Sequence, residues 1–160
     1  SSNLSRFDGV HYGYRSQDAK GVEQTYIKSR TEGFGTEVKR RIMTGTFVLS
    51  HGYYDAYYTQ GQKVRRVLKN RTDDFFKNLD LLLLPTTPGT AFEKNAVKDP
   101  IQMYLQDIFT VHANLTGNPA ISLPIGLATN GLPFGVQVMT APFTETLLFD
   151  FSAYLVQLVN

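Results

Sequence analysis

Cysteine is absent from this 160-residue chain, and so is any excess of charge, any long apolar run and any initiator methionine. Without cysteine there is no disulfide framework and no thiolate zinc site, a composition that fits the reducing cytoplasm. No apolar stretch approaches the roughly 20 residues that cross a bilayer, so no membrane segment is expected. The formal net charge is only +2, and the basic residues are interleaved with acidic ones, too little for a nucleic-acid footprint. The chain opens at Ser1 with neither a basic n-region nor an apolar h-region, so no signal peptide is read there. Ser1 is expected not to be the native start of the gene product. Internal repeats and low-complexity segments are also missing. What is present is globular: 42% hydrophobic and 19% charged residues, at a length expected to form one domain spanning 1–160.

Hydrophobic spacing predicts strands alternating with helices, an α/β layered fold with a mixed sheet flanked by helices. A strand is expected near Gly9–Tyr14, then a loop or short helix over Gly21–Arg30. Val38, Ile42, Gly45 and Leu49 recur at helical spacing behind a Gly35-Thr36 cap, with Glu37 at the positive end of the helix. After Gly52 a longer helix is predicted from about Tyr53 to Asn78, with an apolar stripe through Tyr57, Gly61, Val64, Leu68, Phe75 and Leu79. Asp80–Leu84 is uniformly apolar after its first residue and is stopped by Pro85, which predicts a central strand buried on both faces. Asp99-Pro100 reads as an N-cap and first helical residue opening a helix to about Thr110. Ala120–Ile125 and Phe134–Met139, punctuated by Gly126 and Asn130-Gly131, predict two neighbouring strands, and Glu145–Leu158 a closing amphipathic helix.

Few residues suggest chemistry. His11, His51 and His112 lie in unlike contexts with no G-x-S-x-G elbow, which argues against a Ser-His-Asp triad. His51 and Asp55 share a helical spacing, but two ligands do not make a zinc site, and no metal is expected. Lys63, Arg65, Arg66, Lys69 and Arg71 spread around a helix as a solvated face. Tyr53, Tyr54, Tyr57 and Tyr58 read as packing residues with wet hydroxyls. In the helix after Gly35, Arg41 lies about 70° from the apolar direction while Arg40 points nearly the opposite way. Such an arginine serves as a snorkelling residue, an ion-pair partner or a fork for a carboxylate. Asp107 lies past the middle of its expected helix, where aspartate is a poor helix former; it is an exposed residue or has a binding role.

The runs EGFGTEVKRRIMTGTFVLSHGYYDAYY, QKVRRVLK, DLLLLPTTP, DPIQMYLQDIFTVHANLTGNPAISLPIG and GLPFGVQV carry a resemblance that covers nearly the whole chain. They resemble the amidase-signature hydrolases and, within them, the A subunits of the bacterial tRNA-dependent amidotransferase GatCAB, specifically the C-terminal third. In that family the A subunit hydrolyses glutamine and passes ammonia to a B subunit, which uses ATP and Mg to amidate misacylated Glu-tRNA(Gln), and often Asp-tRNA(Asn).

The resemblance implies that B and C subunits are partners, that tRNA is contacted mainly through B, and that this chain binds no cofactor. The family's catalytic Lys, cis-Ser and nucleophilic Ser lie upstream in a Gly/Ser-rich region, so no residue here is assigned to the triad. By position, Arg41 matches the family's ligand for the glutamine α-carboxylate and Asp107 its ligand for the α-ammonium. His112 stands where the family commonly has proline in a TVPANLAG-like run, which leaves the local backbone there open. Two other readings remain: a fragment of a stand-alone amidase-signature hydrolase, and a non-catalytic module that docks onto partner subunits.

Overall fold

The computed structural model describes residues 2–94, 96–97 and 99–159. They form two compact units, 1–62 and 63–160, and each is described by itself.

The first unit holds a short 3-10 turn (Leu4–Arg6), α1 (Gly21–Gly33), α2 (Thr36–Val48) and a six-residue π-helix (Tyr54–Thr59). The predicted strand at Gly9–Tyr14 is instead a series of bends. Its cause is Asp8, whose Oδ1 accepts from the backbone N–H groups of Val10 and His11, both at 2.8 Å. Gly9 follows at φ +80°, where a Cβ would overlap the Ser29 side chain. A side-chain turn of this kind competes directly with strand geometry. The buried residues of this unit are Asp8, Ser16, Thr25 and Ser29, with Gly9 among them; none is apolar. Hydrogen bonds tie α1 to the preceding segment: Ser16 N to Ser29 Oγ, Ser16 Oγ and Tyr14 Oη to the Glu32 carboxylate, and Arg30 Nη1 to the Leu4 and Phe7 carbonyls. The clustered tyrosines stack on one another and on Phe47, with Phe47 and Tyr53 ring centroids 4.2 Å apart, and all four stay exposed.

The second unit carries most of α3 (Gln60–Phe75), then β1 (Leu81–Pro85), α4 (Pro100–Leu105), α5 (Thr110–Thr116), β2 (Ala120–Leu127), β3 (Pro133–Thr140) and α6 (Glu145–Val159). The long helix expected from Tyr53 thus begins as the π-helix and continues as α3. Much of its expected apolar stripe is exposed, Val64 at 61% and Phe75 at 62%, whereas Leu68 is half-buried and Thr72 buried. Both strand pairings are antiparallel, and the order is β1-β3-β2. β1 is therefore an edge of the described sheet and not its centre, and Leu83 is exposed. Which strand is central depends on pairing across distant sequence, which an apolar run alone does not encode.

The core forms where α6 lies on the sheet. Leu123, Val138 and Leu148 are buried together, with Ile121, Ile125, Val136, Phe151 and Leu155 packed around them. Full burial of each such side chain contributes about 1.5 to 3 kcal/mol. Alternation in β3 sends Val136 and Val138 to α6 and Gln137 and Met139 to the opposite face, where both are also buried. No helix among the described residues is long and apolar enough to cross a membrane.

Candidate functional site

α2 begins after Gly35, as its spacing predicts, and places Glu37 in the first turn. Arg41 is one turn further on. Its Nε donates to Glu37 Oε1 at 3.0 Å, and Nη1 of Arg40 donates to Glu37 Oε2 at 2.8 Å. The two arginines therefore share one carboxylate. The Arg41 side chain is 66% exposed and that of Arg40 55%, so the expected contrast between an inward and an outward arginine is not seen. Glu37 lies three residues before one and four before the other, between them on the helix surface, and draws both to the solvent side. Two guanidinium groups thus flank one carboxylate on an exposed helix face.

Asp107 does not lie within a helix. α4 is capped by Asp99, whose side chain accepts from Ile101 N at 3.0 Å with Pro100 following, as expected, but it ends at Leu105 rather than Thr110. Residues 106–109 form a tight turn in which Gln106, Asp107 and Ile108 N–H groups each bond the carbonyl three residues back. The poor helix propensity of aspartate is thus accommodated by a break in the helix. The Asp107 side chain is exposed, and its carbonyl accepts from Val111 N at 2.9 Å and Thr110 Oγ1 at 3.2 Å. Arg41 belongs to the first unit and Asp107 to the second.

Two features of the second unit escape sequence reasoning. Gln137, 4% exposed in the middle strand, donates from Nε2 to the carbonyl of Phe109 at 3.1 Å. The available signal is a single carboxamide inside the apolar run FGVQVM. Thr86 Oγ1, just past the end of β1, and Ser122 Oγ of β2 meet at 2.7 Å across Gly135, whose own Cβ would lie 3.0 Å from the Leu123 carbonyl and 3.1 Å from Thr86 Oγ1. They line a cavity of about 290 Å³ with Thr87, Gly89, Pro124 and Phe134.

The remaining candidates have structural partners. His112 is helical, in α5, so the backbone left open by its replacement of proline is regular. Its Nε2 lies 2.9 Å from Thr72 Oγ1, and that hydroxyl is also 3.0 Å from the Leu68 carbonyl, so ring, hydroxyl and carbonyl form one hydrogen-bonded chain. Arg65, read as part of a solvated face, donates from Nε to the Leu115 carbonyl at 2.7 Å and caps the end of α5. Asp55 accepts from Thr59 rather than from His51, and among the described residues no three metal-ligating side chains cluster. In the first unit a cavity of about 440 Å³ is lined by Ser5, Arg6, Asp8, His11 and Tyr12. There the His11 ring, then the backbone N–H groups of His11 and Val10, hold the Asp8 carboxyl well below the usual carboxylate range.

Residues 1–149 match the model of the family described as Amidase. The chain belongs to the amidase family. It is 55% identical to the glutamyl-tRNA(Gln) amidotransferase A subunit of Fusobacterium nucleatum subsp. nucleatum over 92% of this chain and 30% of that protein. With the protein of the same name from Halothermothrix orenii it shares 50% identity over its full length, covering 34% of the relative. Among solved structures, the crystal structure of the corresponding glutamyl-tRNA(Gln) amidotransferase polypeptide of Thermotoga maritima matches with a TM-score of 0.59 and 46% identity, over 79% of this chain and 28% of that one. This amidase chain thus spans about a third of the length of the curated relatives it matches. The resemblance drawn from its motifs and the α/β class both hold.

Proposed function

We propose that this amidase chain is the C-terminal third of a glutamyl-tRNA(Gln) amidotransferase A subunit, and that it supplies the grip on glutamine for a nucleophile carried elsewhere in the full-length protein. The observation behind this reading is the 55% identity, over 92% of the chain, to a protein of that name. In the reaction, glutamine is hydrolysed to glutamate and ammonia, and the ammonia passes to a B subunit that amidates misacylated tRNA using ATP and Mg. Assembly with B and C subunits and a cytoplasmic location belong to the same reading.

The chemistry assigned to this chain is positioning. Arg41 binds the α-carboxylate through its guanidinium, and Asp107 binds the α-ammonium through its carboxylate. Opposite charges on opposite substituents of the α-carbon fix the amino acid and leave its side-chain amide directed at the nucleophile. Neither residue makes or breaks a bond, so both act chiefly on binding.

In the full-length protein, complexed with its partners, Arg41→Ala is expected to raise KM for glutamine about 10- to 100-fold with a smaller change in kcat, the loss of a charge-assisted contact of roughly 1.5 to 3 kcal/mol. Steady-state ammonia release measures it, and an unchanged KM refutes the carboxylate contact. The isolated chain is expected to release no ammonia from glutamine; turnover by it would sink the division of labour. A stand-alone amide hydrolase is distinguished by the same assay, because it would hydrolyse simple aliphatic amides as well as glutamine and be indifferent to Arg41.

A further inference from the structure

A carboxamide inside the apolar middle strand points at the turn that carries Asp107. Gln137 is 4% exposed, and its strand is paired on both sides, Leu84 to one and Ser122 to the other. Such a site is rigid and costly for an unpaired carboxamide. Its Nε2 reaches across 28 residues of sequence to the carbonyl of Phe109. Phe109 closes the turn that begins at Gln106, and two residues before it stands Asp107. The Asp107 carbonyl is itself bonded into the start of α5 by Val111 N and Thr110 Oγ1. The turn is therefore tied to the following helix at Asp107 and to the centre of the sheet at Phe109. Because the Asp107 side chain is exposed, the position of its carboxylate follows from this backbone, not from packing around it.

We propose that Gln137 is a positioning residue for the ammonium ligand: its amide N–H, held on the central strand, sets the height of the 106–109 turn over the sheet and so the place of the Asp107 carboxylate. This rests on the reading of Asp107 as the ligand of the substrate ammonium. Sites mounted on a rigid central element hold a ligand geometry that an exposed loop alone does not, and small displacements of a positioning group are costly to binding.

The test compares two substrates in the full-length protein within its complex: glutamine, and 4-carbamoylbutanoate, which is glutamine without its α-ammonium. Gln137→Met keeps the side-chain length and removes the donor. It is expected to raise KM for glutamine about three- to tenfold, in line with one hydrogen bond, and to leave KM for 4-carbamoylbutanoate unchanged. Gln137→His, which retains an N–H, is expected to recover most of the difference. Asp107→Asn is the reference and should narrow the gap between the two substrates further. If Asp107→Asn narrows it and Gln137→Met raises both KM values equally or neither, the positioning role is overturned and the reading of Asp107 stands. If Asp107→Asn itself leaves the ratio unchanged, the ammonium assignment falls and the role of Gln137 falls with it. Should the Met variant fail to assemble, Gln137→Glu, of the same shape with an acceptor facing the Phe109 carbonyl, is read by the same ratio against the same two outcomes.

Discussion

Asp8 gathers three hydrogen bonds onto one carboxylate, from Val10 N, His11 N and the His11 ring, each at 2.8 Å. Together with Gly9 it turns a segment whose aromatic and β-branched residues otherwise suit a strand. The bonds favour the charged form, so the folded carboxyl lies below its unfolded value. The stability it contributes is then fully present above the unfolded value of about 3.9 and is withdrawn as pH falls from there through the lower folded value. A carboxylate titration followed by NMR should place the Asp8 midpoint below about 3.9, with Val10 and His11 amides still protected at that pH. Asp8→Ala should release both amides to fast exchange; protection that survives the substitution would show that the turn is held by something else. None of this is legible from composition, because an Asx turn is set by one side chain's local reach and not by periodicity.

The elements that the sequence announces are those whose signals are local. Asp99-Pro100 caps α4 as its chemistry requires, α2 starts at the Gly35-Thr36 junction, α6 follows its apolar spacing, and β2 and β3 are joined across Asn130-Gly131, although β2 continues through Gly126, where a register shift replaces the expected end, to Leu127. The break after Leu105 is not legible: the cap and spacing predict a helix to about Thr110, and the Phe109 carbonyl meets its partner, Gln137, only once the sheet has formed. Nor is the edge position of β1, since LLLL is equally apolar at the centre of a sheet or at its rim. The aspartate expected in mid-helix at 107 is instead a turn residue, and the exposure of Arg41 reflects its pairing with Glu37, a contact four residues away that helical phase ignores. Gly135 gives a sharp test of the sheet. A Cβ there meets the Leu123 carbonyl and both hydroxyls of the Thr86–Ser122 pair, so Gly135→Ala should destabilise by about 1 to 3 kcal/mol on denaturation. Gly61→Ala, inside α3 with open space around it, should stabilise by about 0.5 to 1 kcal/mol in the same assay. A reversed order would contradict the close packing described at the middle strand.

The two units differ in what holds them. The second has a hydrophobic core under α6; the first has polar buried residues and a network of hydrogen bonds, with Val22, Ile27, Met43 and Tyr12 exposed. Apolar side chains exposed to water in this way favour self-association. Sedimentation velocity on the isolated chain should therefore show association that grows with concentration. A strictly monomeric chain at high concentration would contradict this.

The strand order β1-β3-β2 also has a meaning in time. β3 is the last strand made, yet it is the one that β1 must pair with, Leu81 against Thr140 and Pro85 against Val136. A growing chain displays the four leucines of β1 for as long as it takes to add about 60 further residues, roughly 3 to 12 s at ordinary rates of synthesis. β2 has no such wait, since its partner follows directly in a hairpin that closes in microseconds. The bare leucine run, flanked by Asp80 and Pro85, is thus the segment most in need of protection on the ribosome, and those two flanking residues are the gatekeepers it has.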